Sequence, residues 1–353
     1  MKTFLTGATG FIGNRLLQEL LKEDTEVHVL LRKPSAELPK SKKVRIFYGD
    51  LTDRESIRLA MTGCDRVYHV GGHVHLWSKD PEQFYKVNVE GTRNVAECAM
   101  QLGVSKMVYT STCGVYGPSN YQLITEKHPA ESCFVTDYDS SKLESEKLLQ
   151  DFCKQGLKCV IVQPSRVYGP GFQTESNAVT KMIRLYLNGQ WRFVPGDGNT
   201  VSCYVFVDDV VKGHMLAMRN GRNGERYILG GENATYLRFF KLLAELTGVN
   251  RKLFNLPKTI LKWGVRADSL RAKLTGGTPR LSPAMIDRFV SHRAISSEKA
   301  IRELAYTITP LEEGFRQTLN FLKHADEIPA ITNQKAAAAA PSVSLAFVNP
   351  QNS

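Results

Sequence analysis

The 353-residue sequence lacks the features that mark membrane and exported proteins. No apolar stretch approaches the roughly 20 residues that a membrane-spanning helix needs. The chain begins directly in a strand pattern, without the charged and apolar regions of an export signal. We therefore predict a cytoplasmic protein with no transmembrane segment.

The cysteines lack any pattern. They show neither CxxC pairs nor histidine partners, so they predict reduced thiols rather than disulfides or zinc ligands. His69, His73 and His75 lie close together in sequence, but their spacing does not converge on a metal, and we predict no metal site. The seven cysteines are Cys64, Cys98, Cys113, Cys133, Cys153, Cys159 and Cys203.

Acidic residues are scarce in one part of the chain. The net charge is +11, and between Arg251 and Arg293 ten basic residues face two acidic ones. Nothing in this segment resembles a nucleic-acid-binding module, so no nucleic-acid partner is predicted. A solvated basic face is the simpler interpretation. The alternatives are attraction to an anionic substrate and peripheral contact with an anionic membrane surface.

Strand and helix patterns alternate through the first 170 residues, which predicts an α/β fold with a Rossmann-type doubly wound parallel sheet. We expect an NADP-binding core over 1–170 and a smaller C-terminal substrate-binding lobe over 171–325, interleaved with late core elements. The Ala-, Ser- and Pro-rich stretch 326–353 is expected to be a disordered tail. After the first strand, the predicted strands are Glu26–Leu31, Val44–Tyr48, 65–70, 106–111 and 158–163, with helices at 88–102 and 140–155. In the smaller lobe they are 204–207 and Arg226–Leu229, with helices at 237–247, 258–273 and 296–303.

Three glycines follow the first strand at a spacing of GxxGxxG. Gly7 permits a tight turn, Gly10 lets the backbone approach a pyrophosphate, and Gly13 lets the following helix pack against the strand. The free N–H groups of that helix then face the anion. A tight turn without a ligand is the alternative interpretation. The predicted cofactor-binding residues here are Gly7, Thr9, Gly10, Phe11, Ile12 and Gly13.

The end of the second strand favours NADP(H) over NAD(H). A carboxylate there would bind a free ribose hydroxyl, but Arg32 and Lys33 stand in its place and can pair with a 2′-phosphate. Asp50 can accept the adenine amino group and Leu51 can cover the ring. Further cofactor contacts are predicted at Val70, Gly71, Gly72, Asn88, Pro164 and Val167, with Asn88 starting a helix that it could equally cap.

Tyr138 and Lys142 stand four apart on a predicted helix, so they lie on one face. An ammonium beside a phenol lowers the pKa of the phenol, which makes Tyr138 a usable acid or base for a carbonyl/alcohol pair. Lys142 can also hold the nicotinamide ribose. The fifth strand ends in Thr110, Ser111 and Thr112, and a hydroxyl at that place can polarise the reacting oxygen. We choose Thr112, with Ser111 as the second choice.

Together these motifs resemble the extended short-chain dehydrogenase/reductase superfamily, also called NAD-dependent epimerase/dehydratase, over about 1–325. The resemblance implies a catalytic triad of Thr112, Tyr138 and Lys142 and hydride transfer at a nicotinamide. Within the superfamily, 80–94 and 224–233 look most like the dihydroflavonol-reductase-like branch, which also contains hopanoid-associated sugar epimerases. The motifs are TGATGFIG (6–13), GDLTD (49–53), NVEGT (88–92), TSTCGVYG (110–117), YDSSK (138–142) and FVDDV (206–210).

Two departures from the superfamily concern the substrate. Nucleotide-sugar enzymes typically carry Asn where this chain has Arg166, and Arg where it has Ser202. Both family residues serve the nucleotide diphosphate, so such a substrate is disfavoured. His73, Trp77 and Arg166 are the candidate substrate residues, and Arg166 could meet another anionic group or pair with an acid.

These residues predict an NADP-dependent reductase of a ketone or aldehyde on a small organic molecule. Two alternatives stay open. One is a sugar or nucleotide-sugar epimerase or dehydratase that recycles its NAD(P). The other is a non-catalytic NADP-binding regulator. By analogy with the family, a homodimer is expected.

Overall fold

A seven-stranded, all-parallel sheet forms the centre of the computed structural model, with strand order β10-β6-β5-β4-β1-β2-β3. Its strands are β1 (Lys2–Thr6), β2 (Glu26–Leu31), β3 (Val44–Tyr48), β4 (Arg66–His69), β5 (Lys106–Thr110), β6 (Cys159–Pro164) and β10 (Arg226–Leu229). The shorter strands are β7 (Arg166–Tyr168), β8 (Phe193–Pro195), β9 (Val201–Phe206), β11 (Glu232–Thr235) and β12 (Phe254–Leu256). The structure describes residues 1–75, 80–119, 122–130, 136–172, 174–275 and 283–327.

Helices cover both faces of this sheet, which confirms the predicted doubly wound fold. They are α1 (Phe11–Leu20), α2 (Arg54–Met61), α3 (Glu82–Phe84), α4 (Gly91–Gln101), α5 (Asp137–Lys154), α6 (Ala178–Leu187), α7 (Val207–Asn220), α8 (Tyr236–Thr247), α9 (Lys258–Thr275), α10 (Pro283–Val290), α11 (Glu298–Leu304) and α12 (Leu311–Glu327). One apolar core lies between the sheet and α1, α7 and α11, and a second lies beneath α2, α4 and α5.

A third apolar core lies outside the sheet, among α6, α8 and α12 and the short strands. It is built largely from aromatic side chains, such as the edge-to-face pair Phe239 and Phe315. A three-stranded sheet, β11-β9-β7, and the pair β12-β8 belong to this region. Most of it comes from residues after 170, where we expected the smaller lobe.

One strand lies in a different place from the one we expected. We assigned Arg226–Leu229 to the smaller lobe, but it pairs in parallel with β6 and becomes the seventh strand of the central sheet. Tyr227, Ile228 and Leu229 are fully buried there. A run of three apolar residues carries no signal for which sheet it joins, because both sheets would bury it.

Most of the predicted tail lies outside the described residues. Residues 326 and 327 end α12 as helix, and the rest of the predicted tail, 328–353, lies outside the described residues. The described cysteines are all free thiols. Within the described ranges, no helix is both long and apolar enough to cross a lipid bilayer.

Candidate active site

The glycine turn after β1 is closed to side chains. Gly7 has a φ of +76°, and a Cβ on it would lie 2.6 Å from the Gly71 nitrogen. A Cβ on Gly13 would lie 2.0 Å from the Gly7 oxygen. The N–H of Gly10 donates to that same oxygen at 2.9 Å. This is a cradle in which backbone replaces side chains, with the orphan N–H groups of the α1 N-terminus at its rim, as a pyrophosphate requires.

The predicted adenine and ribose contacts lie beside this cradle. Arg32 and Lys33 directly follow β2, and both are exposed. Asp50 is half-buried and accepts from the Thr52 N–H at 2.9 Å. Leu51 packs against Gly91, whose hypothetical Cβ would lie 2.9 Å from the Leu51 Cβ. The side chain of Phe11 is buried in the apolar core, so only its backbone is available at the glycine turn.

A buried histidine ties the strand ends together. His69 Nδ1 is 2.7 Å from Thr6 Oγ1, and its Nε2 is 3.1 Å from Thr92 Oγ1 on α4. The Gly71 N–H also donates to Thr6 Oγ1 at 2.9 Å. Burial lowers the pKa of His69 to about 3, so the ring is neutral. The described residues contain no group of three or more His, Cys, Asp or Glu side chains placed for a metal ion.

We expected Asn88 to start a helix, but it does not. Helix α3 begins at Glu82, and Asn88 lies within a π-helical stretch, Tyr85–Glu90, that continues into α4. The start is earlier because Asp80 accepts from the Glu82 N–H. Asn88 is buried and holds the backbone of His73 from both sides: Oδ1 accepts from its N–H at 2.7 Å, and Nδ2 donates to its carbonyl at 3.2 Å. Asn88 Nδ2 also donates to Ser141 Oγ on α5 at 2.9 Å.

We predict that Asn88→Ala destabilises the protein by about 1–3 kcal/mol, because it leaves the partly buried His73 N–H without its acceptor. Urea denaturation measures this change. Asn94→Ala, which removes a bond to the Leu51 carbonyl, is the control for losing an amide that holds a different loop. A free energy of unfolding for Asn88→Ala equal to that of the wild-type protein would contradict this role of Asn88.

The three hydroxyls after β5 have different partners. Thr110 Oγ1 is 2.8 Å from His214 Nε2 on α7, and Ser111 Oγ donates to the buried Glu146 on α5. Thr112 Oγ1 accepts from the Gly114 N–H at 3.0 Å. Among the described residues nothing accepts the hydrogen of the Thr112 hydroxyl. Thr112 is therefore the hydroxyl with a donor to spare, while Ser111 is engaged.

Helix α5 carries Tyr138 one turn before Lys142. Its first turn is capped by Thr136, whose hydroxyl accepts from the Asp139 N–H at 3.1 Å. Asp139 is fully buried, and Arg288 Nη1 donates to both of its oxygens at 2.9 and 2.8 Å. A Cβ on Gly114 would collide with Asp139 Oδ1. The start of α5 and the turn after Thr112 are therefore in direct contact.

The pKa of Tyr138 departs from our expectation. We expected Lys142 to lower it, but burial raises it above its ordinary value of 10, the Asp139 carboxylate raises it further, and Arg288 opposes them in part. The spacing of the motif places Lys142 one helical turn from Tyr138, but it does not show that the neighbouring Asp139 is buried. Tyr138 therefore holds its proton at neutral pH.

Lys142 is almost fully buried, and its ammonium lies 4.3 Å from the centre of the Tyr109 ring. A Cβ on Gly72 would lie 3.8 Å from Lys142 Nζ, so the lysine borders the loop after β4. No described residue offers Nζ a hydrogen-bond acceptor. Burial lowers the pKa of Lys142 to about 7, although Glu146 raises it. Its donors remain available to a ligand at the sheet edge.

We predict that Lys142→Met raises the melting temperature of the cofactor-free protein at pH 6. The unfolded chain binds this proton up to a pKa of 10.5 and the folded chain up to about 7. The cost of burying the charged ammonium therefore lowers the stability of the wild-type protein fully below pH 7. This stability is recovered as the pH rises from 7 to 10.5. The gap between variant and wild type should shrink over that window in calorimetry. Lys147→Met, at an exposed position of α5, is the control, and a gap independent of pH would contradict the account.

The structure describes two of the three predicted substrate residues. His73 is half-buried beside the rings of His75 and Phe84. Trp77 lies outside the described residues. Arg166 pairs with no acid among the described residues: it donates to the Tyr236 hydroxyl at 2.8 Å and to the Arg288 carbonyl at 2.9 Å.

Two of the predicted cofactor residues lie on successive strands. Pro164 ends β6, and Val167 is buried in β7.

Sequence reasoning missed two arginines at this site. Arg288 and Arg293 line one small cavity together with Thr112 and Arg166. They lie about 150 residues after Tyr138, in a segment without a motif. Their basic character was noted, but no pattern indicated that they return to the carboxyl edge of the sheet.

Known proteins resemble this chain over most of its length. It is 33% identical over 330 residues to sterol demethylase protein B of Methylococcus capsulatus, covering 92% of this chain and 98% of that one. It is 29% identical to a putative dihydroflavonol 4-reductase of Synechocystis, covering 91% and 94%. A UDP-glucose 4-epimerase from Thermotoga maritima, solved with UDP-glucose, superposes with a TM-score of 0.76 at 25% identity, covering 92% and 99%.

The model of the NAD dependent epimerase/dehydratase family matches residues 3–230. That range contains β1, the glycine turn, Thr112 and the tyrosine and lysine of α5. Relatives in this family are NAD(P)-dependent dehydrogenases, reductases and epimerases. With its closed glycine cradle and the YxxxK pair on α5, the chain belongs to the NAD-dependent epimerase/dehydratase family and is an NAD(P)-dependent enzyme.

Proposed function

We propose that this enzyme is an NADP-dependent reductase of a ketone or aldehyde on a small organic molecule. One observation supports it most. Thr112, whose hydroxyl hydrogen no described residue accepts, and Tyr138, which holds its proton at neutral pH, belong to segments in contact at the carboxyl edge of the sheet. Two donors suit a carbonyl oxygen that gains a proton.

The tasks of the reaction are divided among these residues. The nicotinamide, when bound, supplies the reducing equivalents. Gly7, Gly10 and Gly13 would hold the diphosphate against the α1 N-terminus. Thr112 donates to the carbonyl oxygen and polarises it, and Tyr138 delivers the proton. Lys142 holds the ribose, and its positive charge lowers the pKa of the Tyr138 phenol once the ligands keep the lysine protonated.

The 2′-phosphate of NADP would pair with Arg32 and Lys33. We predict that Arg32→Asp lowers the preference for NADPH over NADH in kcat/KM about tenfold to a hundredfold, because a charge-assisted bond becomes a repulsion. Steady-state rates with each cofactor measure this ratio. Lys323→Asp, at an exposed position of α12, makes the same charge change elsewhere and should leave the ratio alone. An unchanged ratio in Arg32→Asp would contradict NADP selection at this position.

An epimerase or dehydratase that recycles its cofactor is the second candidate, favoured by the likeness to the UDP-glucose 4-epimerase. Absorbance of the purified protein separates the two. We expect no nicotinamide band and NADPH consumption when a carbonyl compound is added. A nicotinamide that survives purification, with no net NADPH use on a panel of aldehydes and ketones, would favour the epimerase. NADPH binding without any turnover would favour a regulator.

A further inference from the structure

Three arginines from two distant parts of the chain meet at one cavity beside Thr112. Arg166 begins β7, Arg288 lies on α10, and Arg293 follows that helix. The cavity that they line with Thr112 and Gly114 has a volume of about 30 Å³. This is room for one or two waters, or for a group of similar size.

The positive charge at this cavity is only partly balanced. Arg288 is paired with the buried Asp139. Arg166 donates to a tyrosine hydroxyl and a backbone carbonyl. Arg293 donates to the Tyr116 carbonyl at 3.0 Å. In the described part of the chain, Asp139 is the one carboxylate that pairs with any of the three guanidinium groups, so two positive charges remain uncompensated.

Arg293 is the most unusual of the three. It is 6% exposed, yet its Nε and Nη2 have no hydrogen-bond partner in the described part of the chain. Burial and the neighbouring Arg288 lower the pKa of Arg293 to about 10. A buried charge with unpaired donors is costly to a fold unless something binds it. The unpaired Nε and Nη2 can serve as two prongs of a guanidinium fork, which matches the two oxygens of a carboxylate.

We infer that the substrate carries a carboxylate close to its reacting carbon, and that Arg293 binds it in this cavity with Arg166 at its side. This inference rests on the proposed reductase function, because Thr112 serves both the cavity and the carbonyl. The substrate is then an oxo acid, and the product is the corresponding hydroxy acid. A diphosphate is too large for the cavity, which agrees with the absence of the two family residues that serve a nucleotide diphosphate in sugar-nucleotide enzymes.

The test compares acids with neutral analogues of the same shape. Cyclohexanecarboxylate and 3-hydroxyoctanoate, each with its carboxamide, are titrated at constant ionic strength into the NADP-loaded enzyme, and binding is followed by calorimetry. We expect each acid to bind about tenfold to a hundredfold more tightly than its amide. Arg293→Met should remove this difference, and Arg293→Lys should restore part of it. Arg316→Met, at a half-exposed pair with Glu312 on α12, is the charge control.

Two results would overturn the inference. One is equal binding of acid and amide by the wild-type enzyme, a measurement that does not depend on any variant folding. The other is an acid preference that survives in Arg293→Met with an unchanged melting temperature. NADPH affinity and reduction of uncharged aldehydes are measured in parallel. If those fail while Arg293-dependent acid binding persists, the reductase proposal is wrong and the carboxylate site stands. If they succeed without acid preference, the carboxylate site alone is wrong.

Discussion

Replacing Tyr138 by phenylalanine should lower kcat for carbonyl reduction by about 10²- to 10⁴-fold, the usual range for losing a positioned general acid. Burial and Asp139 raise the pKa of this phenol, so at neutral pH it is a proton donor. Thr112 would still polarise the oxygen, but no other described side chain at the turn after β5 has a free proton to deliver. The affinity for NADPH should stay within about twofold, because the phenol is not needed to hold the diphosphate.

The control for this variant is Tyr186→Phe. It removes another phenolic hydroxyl, which donates to the Val249 carbonyl at 3.0 Å in the smaller lobe. This variant should lose about 1 kcal/mol of stability and keep its rate. If Tyr138→Phe retained more than a tenth of the wild-type kcat with full NADPH binding, Tyr138 would not be the proton donor.

Gly13→Ala should abolish measurable NADPH binding and cost about 1–3 kcal/mol of folding stability. The added methyl would lie 2.0 Å from the Gly7 oxygen and 2.7 Å from the Gly7 carbon. Both are backbone atoms of the turn, so no flexible side chain can give way. Relief requires the turn or α1 to move, and either movement displaces the N–H groups that would face the diphosphate.

Gly264→Ala makes the same substitution inside a helix without a clash. Apart from its chain neighbours and the backbone of α9 itself, no heavy atom of the described residues lies within 4 Å of the methyl that it would add. It should therefore stabilise the protein by roughly 0.5–1 kcal/mol, the usual gain of alanine over glycine in a helix. Denaturant unfolding and NADPH fluorescence titration measure both variants. Normal NADPH binding by Gly13→Ala would mean that the glycine turn does not hold the cofactor.

Sequence predicted the elements whose signal is local. The βα turn needs glycines because backbone packs on backbone, and the helical spacing of Tyr138 and Lys142 is visible in five residues. Parallel strands followed from alternation, because apolar runs and amphipathic helices alternate along most of the first 170 residues. These features depend on neighbours within a few residues, so a single sequence contains them.

Features that depend on distant contacts were missed or mistaken. The sequence places Asn88 at a helix start because its partner, the backbone of His73, is 15 residues away and leaves no pattern. The expected pKa of Tyr138 is too low because burial of the phenol, and next to it the Asp139 carboxylate, raise the pKa. Both depend on tertiary contacts, and Asp139 is paired with Arg288, 149 residues later. Arg293 could not be assigned to a site because its neighbours there come from β5 and β7.

A crystal structure of the complex with NADP⁺ tests the central claim most directly. The account predicts the diphosphate at the glycine turn and the Tyr138 hydroxyl facing the reactive carbon of the nicotinamide across a gap that one carbonyl group can fill, roughly 4–6 Å. A nucleotide bound elsewhere, or a Tyr138 hydroxyl more than about 8 Å from that carbon with the site closed, would contradict it.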